Sequence, residues 1–170
     1  MNNDANVKYV DVEGVRTRYF EKGRGDPLVL LHGGAIGTGS SFEIFAENLD
    51  ALAESFHVFA PDKIGQGYTD NPATDGDYTI DRMTEHTYQF IQVMGLEQIY
   101  LIGQSRGAFN GISLCLDHPN LIRGFVLCNS ASMVPAADAI PAYSKRLRAN
   151  TPFESGTKEW IRYRSEAMCY

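Results

Sequence analysis

The sequence is poor in the features that mark several functional classes. Cysteine is scarce: the 170 residues contain 3, Cys115, Cys128 and Cys169. They are widely spaced and form no C-x-x-C pair, so neither a disulfide framework nor a zinc knuckle is expected and a reducing compartment is implied. No apolar run approaches the ~18 residues that a membrane span requires. The opening Met1-Asn2-Asn3-Asp4-Ala5-Asn6 also lacks the basic and apolar regions of a secretory signal. The expectation is a cytoplasmic protein with no membrane partner. Positive charge is in deficit, with 15 Lys plus Arg against 21 Asp plus Glu and a net charge of −6, so nucleic acid is not an expected partner. The 4 histidines are scattered and there is no H-E-x-x-H, so no metal site is expected. Repeats and low-complexity tracts are missing as well.

What is present suits one globular domain, with 44% hydrophobic and 21% charged residues. Val7 to Val12 and Arg16 to Glu21 alternate apolar and polar residues around Glu13-Gly14, which predicts a β-hairpin with one face in water. Pro27 to Leu31 is a continuous apolar run, as expected of a strand buried on both faces of a parallel sheet. Ser40-Ser41 can cap a helix running to Ala53. Further strands are predicted at Phe56–Ala60, Ile99–Ile102 and Gly124–Cys128, with helices over Ile80–Met94, closed by Gly95, and Ser105–Leu116. Alternation of strand and helix with short links predicts an α/β core with right-handed crossovers. Residues 1–132 read as that core. Residues 133–170, with helical patterns at Ala136–Ala149 and Thr157–Met168 and no strand between them, read as the start of a cap or lid.

The strongest chemical signal is Gly103-Gln104-Ser105-Arg106-Gly107, a G-x-S-x-G between an apolar strand and a helix. Turning a strand into a helix through one residue strains Ser105 and projects its hydroxyl, and the flanking glycines permit backbone packing too close for a Cβ. The helix N-terminus directs free N–H groups at charge developing beside the serine. Ser105 is therefore the candidate nucleophile; the alternative is a glycine-lined turn with a capping serine. His32-Gly33-Gly34 follows the first buried strand, where an acyl-transfer enzyme of this architecture needs an oxyanion donor. The two donors would be the amides of Gly34 and Arg106. Nucleotide binding is disfavoured. Gly37-Thr38-Gly39-Ser40-Ser41-Phe42 has no third glycine although Asp62 ends the next strand, and no G-K-[ST] follows a glycine loop. No cofactor is expected.

Leu30-Leu31-His32-Gly33-Gly34, the loop Ala60-Pro61-Asp62-Lys63-Ile64-Gly65-Gln66-Gly67-Tyr68-Thr69-Asp70-Asn71-Pro72, the Ser105 turn and Asp117-His118-Pro119 together resemble the α/β-hydrolase superfamily, from about Val7 to Ser130. Within it the sequence is most similar to hydrolases that cleave C–C bonds in meta-cleavage products of aromatic catabolism. Dehalogenases and epoxide hydrolases use Asp where Ser105 stands. The resemblance implies an α/β-hydrolase fold, a mostly parallel sheet with an N-terminal antiparallel hairpin. It implies a small-molecule carbonyl substrate of the 2-hydroxy-6-oxo-dienoate type, with Gly33 and Gln104 in the substrate-binding wall. Two positions depart from the subfamily: Gln104 replaces a frequent Asn, and Ser41-Phe42-Glu43 replaces Trp-Ser-Asn. A carboxylate at Glu43 would repel an anionic substrate unless it points away. A carboxylesterase and a non-catalytic binding protein of the same fold are the alternatives.

The family pattern places an acid and then a histidine after later strands, so the chain is expected to stop before the last two strands. His32 belongs to the glycine loop, His57 to a strand and His86 to a helix. His118 ends the helix begun at Ser105, about 20 Å away at 1.5 Å per residue. None is placed to be the base, and Asn129 stands where some relatives carry the acid. Losing the histidine of such a triad costs on the order of 10⁶ in turnover, so the chain alone is expected to be nearly inactive. The strand at Gly124–Cys128 would form an open sheet edge, a place for a second copy or a complementing chain.

Overall fold

The computed structural model describes residues 3–34 and 39–130, together with Glu159. The chain divides into two compact units, Met1–Met133 and Val134–Tyr170, and the elements below lie in the first. The cap expected over 133–170 falls outside the described residues.

Six strands form one sheet in the order β1-β2-β4-β3-β5-β6. They are β1 (Val7–Val12), β2 (Val15–Lys22), β3 (Pro27–Leu31), β4 (His57–Pro61), β5 (Ile99–Gln104) and β6 (Ile122–Cys128). The hairpin β1–β2 is antiparallel, β2 joins β4 antiparallel, and β4, β3, β5 and β6 run parallel. Helices α1 (Ala46–Ala53), α2 (Ile80–Val93) and α3 (Arg106–Asp117) supply the crossovers. This is the α/β-hydrolase arrangement expected from the sequence, over the part of the fold that the described residues cover. No helix among them is long and apolar enough to cross a membrane.

The apolar run of β3 is divided between two cores. Val29 and Leu31 pack with Phe59, Leu101, Phe90 and Ile91 of α2 and Leu114 of α3. Leu28 and Leu30 face the other way, onto Phe42, Phe45 and Leu49 beside α1. Alternate side chains of a strand leave on opposite faces, so a strand covered on both sides has no polar position to spare. Helix α2 starts at Thr79, whose Oγ1 accepts the Arg82 N–H at 3.1 Å, and ends at Gly95, whose φ of +64° is the left-handed closure that glycine permits.

Three expectations need correction. The hairpin does not keep one face in water: Val15, Thr17, Arg18, Tyr19 and Phe20 are all buried, because α2 covers Thr17 and Tyr19 on one face and Phe42 and Asp62 cover Phe20 and Arg18 on the other. The helix expected after Ser40-Ser41 begins as a 3-10 turn, Phe42–Phe45, before α1. The Ser41 hydroxyl donates to the Glu43 carboxylate and does not cap a backbone N–H. Finally, β6 starts at Ile122, two residues before Gly124. Among the described residues β6 is an edge strand, with Val126 53% and Leu127 45% exposed.

Candidate active site

From β3 the chain runs on to α1 and β4 on one side of the sheet, and β5 and β6 lie on the other, so the order reverses between β3 and β5. In open α/β sheets the crevice at the carboxyl ends of strands flanking such a reversal is the usual binding place. His32, Gly33 and Gly34 leave β3 there, Ser105 leaves β5, Asp62 and Lys63 leave β4, and Asn129 and Ser130 leave β6.

Ser105 is the N-cap of α3, at φ 54° and ψ −117°. That backbone region is sparsely populated by side-chain-bearing residues and persists only where neighbours enforce it. Here the Ser105 N–H donates to Cys128 O at 2.9 Å, and the Ser130 hydroxyl donates to Ser105 O at 2.8 Å. Sequence reasoning missed Ser130, whose role depends on the pairing of β5 with β6. Both glycines around the serine are required by contact. A Cβ on Gly103 would lie 2.5 Å from Ala108 Cα, and one on Gly107 would lie 2.6 Å from the Leu31 carbonyl carbon.

Gly33, Gln104 and Ser105 lie together. A Cβ on Gly33 would overlap Gln104 Oε1 and lie 2.8 Å from Ser105 Cβ, so the β3 loop, Gln104 and Ser105 are in direct apposition. Gly34 has φ +87°, and the chain that follows it, 35–38, is outside the described residues. Arg106 opens α3, and its amide precedes the first hydrogen bond of that helix, which Ala108 N–H makes to Ser105 O at 3.1 Å. Ser105 Oγ has no hydrogen-bond partner among the described residues.

His32 anchors the loop. It is fully buried; its Nε2 accepts the Lys63 backbone N–H at 3.2 Å, which leaves the proton on Nδ1. Nδ1–H then donates to Gly33 O at 2.9 Å, with Ser40 Oγ at 3.2 Å. Burial, and secondarily the Lys63 charge, push its pKa down to about 3, so it is a neutral strut. The other histidines are committed elsewhere. His57 pairs with Glu21 at 2.9 Å, His86 with Thr17 at 2.8 Å, and His118 stacks on Tyr88 with centroids 3.8 Å apart.

A buried ionic network holds the β4 loop. Asp62, 0% exposed, accepts the Phe42 N–H at 2.8 Å, the Tyr68 N–H at 3.0 Å and Arg18 Nη1–H at 3.1 Å. Arg18 Nη2–H donates to Glu43 at 2.5 Å. Glu43 thus turns toward a cation. Burial works to lower the Arg18 pKa, but its hydrogen bonds to Glu43 and Asp62 outweigh that and raise it. The Arg18 guanidinium also lies 4.4 Å from the Phe42 ring centroid and 4.6 Å from that of Tyr68. Arg18 was hidden in an apparently wet strand face. Its signal was a charge between residues that the sheet must bury, Thr17 and Tyr19-Phe20.

Lys63 is the third unforeseen residue. It is 1% exposed, and its Nζ has no hydrogen-bond partner among the described residues. Burial, with a smaller effect of Arg106, pushes its pKa down to about 7.

The alpha/beta hydrolase fold family matches residues 26–158. The 2-hydroxy-6-oxo-6-(2'-aminophenyl)hexa-2,4-dienoic acid hydrolase of Metapseudomonas resinovorans is 35% identical over 128 residues, 75% of this chain and 43% of that protein. The 2-hydroxymuconate semialdehyde hydrolase of Pseudomonas sp. strain CF600 is 33% identical over 120 residues, 71% of this chain and 42% of that protein. Among solved structures, a serine hydrolase involved in carbazole degradation (CarC enzyme) superposes with a TM-score of 0.67 at 34% identity, over 73% of this chain and 47% of that one. The chain therefore spans less than half the length of these relatives.

Proposed function

Since this chain belongs to the alpha/beta hydrolase fold family, we propose that it carries the nucleophile and oxyanion hole of a serine-dependent hydrolase acting on a carbonyl substrate. The reaction put first is C–C cleavage of a 2-hydroxy-6-oxo-dienoate, the class named for the Metapseudomonas relative. One observation carries the reading: Ser105 is held at φ 54° at the mouth of α3, with its Cβ against Gly33 of the facing loop. The hydroxyl is fixed where two loops meet, and catalysis by such groups depends on positioning before reaction.

Ser105 Oγ adds to the ketone carbon once the dienol has ketonised. The amides of Gly34 and Arg106 receive the resulting oxyanion, while Gly33 and Gln104 form the adjoining wall. Collapse breaks the C–C bond, the electron pair leaving with the dienoate fragment as a dienolate delocalised onto its 2-oxo group, which takes up the proton that the serine gave to the base, and the acyl-serine that remains is hydrolysed by water. The first step needs a base, and each of the four histidines is engaged away from Ser105 Oγ. In this reading the histidine base is none of these four, and it is supplied, with its acid, by a longer form or by a partner that adds to the β6 edge, in the cytoplasm. Residues 133–170 would begin a cap or lid.

The test is a fluorophosphonate reaction with the protein from its native source and with the 170-residue chain, followed by peptide mass mapping. The native protein should carry the adduct on Ser105, and the isolated chain should react slower by several orders of magnitude. An unlabelled Ser105 in the native protein refutes the nucleophile. Equal rates refute the missing base.

A further inference from the structure

Lys63 is built into the same end of the sheet as Ser105, since its backbone N–H is held by His32 from the β3 loop. Its side chain turns inward, 1% exposed, and its Nζ ends without a partner among the described residues. An ammonium has three donors and no acceptor, and a buried cation without a counter-charge is among the least favourable groups a fold can keep. The acids nearest at hand are occupied. Asp62 is taken by two amides and Arg18, and Glu43 by Arg18 and Ser41. The other groups that sense the Lys63 charge are His32, which is neutral, and Arg106, which is a cation. Arg106 also opens α3, whose N-terminus adds partial positive charge at the same place. Positive potential from three sources collects at this end of the sheet, while the carboxylates of Asp62 and Glu43 are hydrogen-bonded to Arg18 and not to Lys63.

We infer that Lys63 is a specificity residue of the Ser105 site, its ammonium receiving a carboxylate carried by the substrate. The inference rests on the proposed Ser105 reading and extends it, since a dienoate carries that carboxylate and a neutral ester does not. A compact ammonium suits a single carboxylate oxygen where a guanidinium would demand a planar fork. With its pKa pushed down to about 7, the amine of the empty site is only partly protonated at neutral pH. His32, Arg106, Asp62, Glu43 and Arg18 are the charged and titratable groups around it, and carboxylate binding draws a proton onto Lys63.

The test is calorimetry of the protein with sorbate (2,4-hexadienoate) and with its neutral counterpart sorbamide, in the wild type and in Lys63→Met. The wild type should prefer sorbate by roughly tenfold or more, the effect of one charge-assisted hydrogen bond. It should also take up a proton on binding at pH 7.5, seen as a dependence of the heat on buffer ionisation. Lys63→Met should bind the two alike without proton uptake, and its thermal midpoint should not fall, since a buried charge has been removed. A wild type that binds both equally or binds neither, or a Met variant that keeps the preference, overturns the inference. Fluorophosphonate labelling of the native protein separates the two readings. Labelling without a sorbate preference removes the role of Lys63 and leaves the nucleophile, whereas a preference without labelling does the reverse.

Discussion

Acid should destabilise this fold through His86, and the size of the effect can be worked out. His86 is 1% exposed. Its Nε2 meets Thr17 Oγ1 at 2.8 Å, while that hydroxyl donates to Val15 O at 3.0 Å, so the ring nitrogen is the donor. Burial, and then the charge of Arg82, push its pKa down to about 4. In the unfolded chain a histidine titrates near ~6.5. Between those values the unfolded state binds the proton that the folded state refuses, so stability is present above ~6.5 and is lost as pH falls toward 4. From pH 7 to pH 5 the loss from this one group is about 2 kcal/mol, and His32, lowered to about 3, loses as much again by the same rule. Both together are a large part of a typical domain's ~5–15 kcal/mol. The perturbation is His86→Gln, whose amide can donate to Thr17 and does not titrate. Urea unfolding followed by circular dichroism at pH 7, 6 and 5 gives the free energies, and groups common to both proteins cancel in the difference. The variant is expected to be less stable at pH 7 for reasons of packing, with the gap closing by about 2 kcal/mol at pH 5. Parallel pH curves for the two proteins would refute the assignment.

Arg18→Met should cost roughly 3–5 kcal/mol, because it strands the fully buried Asp62; urea midpoints check it, and a loss below about 1 kcal/mol would mean the pair is dispensable. Gly107→Ala should cost on the order of 2–3 kcal/mol, since the new Cβ must displace backbone of β3. Gly76→Ala, whose Cβ would meet nothing nearer than 3.7 Å, should stay within about 0.5 kcal/mol on the same assay. Ser105→Gly should raise stability by roughly 1–3 kcal/mol by releasing the strained backbone while abolishing fluorophosphonate labelling. Ser105→Ala should lose labelling with no such gain, and equal midpoints for the two variants would argue against strain at this position.

The alternation of strand and helix and the Ser105 turn were legible because their signals are local. Apolar runs ended by glycine, and glycines two residues either side of a serine, act within one turn of chain. The same holds for Thr79 and Gly95 at the ends of α2. The β4-loop network was not legible. Arg18 meets Asp62 across 44 residues and Glu43 across 25, and only the assembled sheet makes β2 an interior strand. Lys63 looks like any loop lysine until the fold closes over it. The 3-10 turn at Phe42–Phe45 follows from the Asp62 carboxylate taking the Phe42 N–H, another distant partner that periodicity does not reveal.

The two hydrogen bonds that restrain the Ser105 peptide come from Cys128 and from Ser130, the latter 25 residues further along the chain. A polypeptide made from its N-terminus exposes Ser105 long before those partners emerge, and folding during synthesis follows that order. Until β6 docks beside β5, the turn lacks both of these restraints and is held only by the packing of Gly103 on α3 and of Gly107 on β3. A ribosome-bound intermediate lacking β6 therefore carries Ser105 without the two hydrogen bonds that hold its peptide.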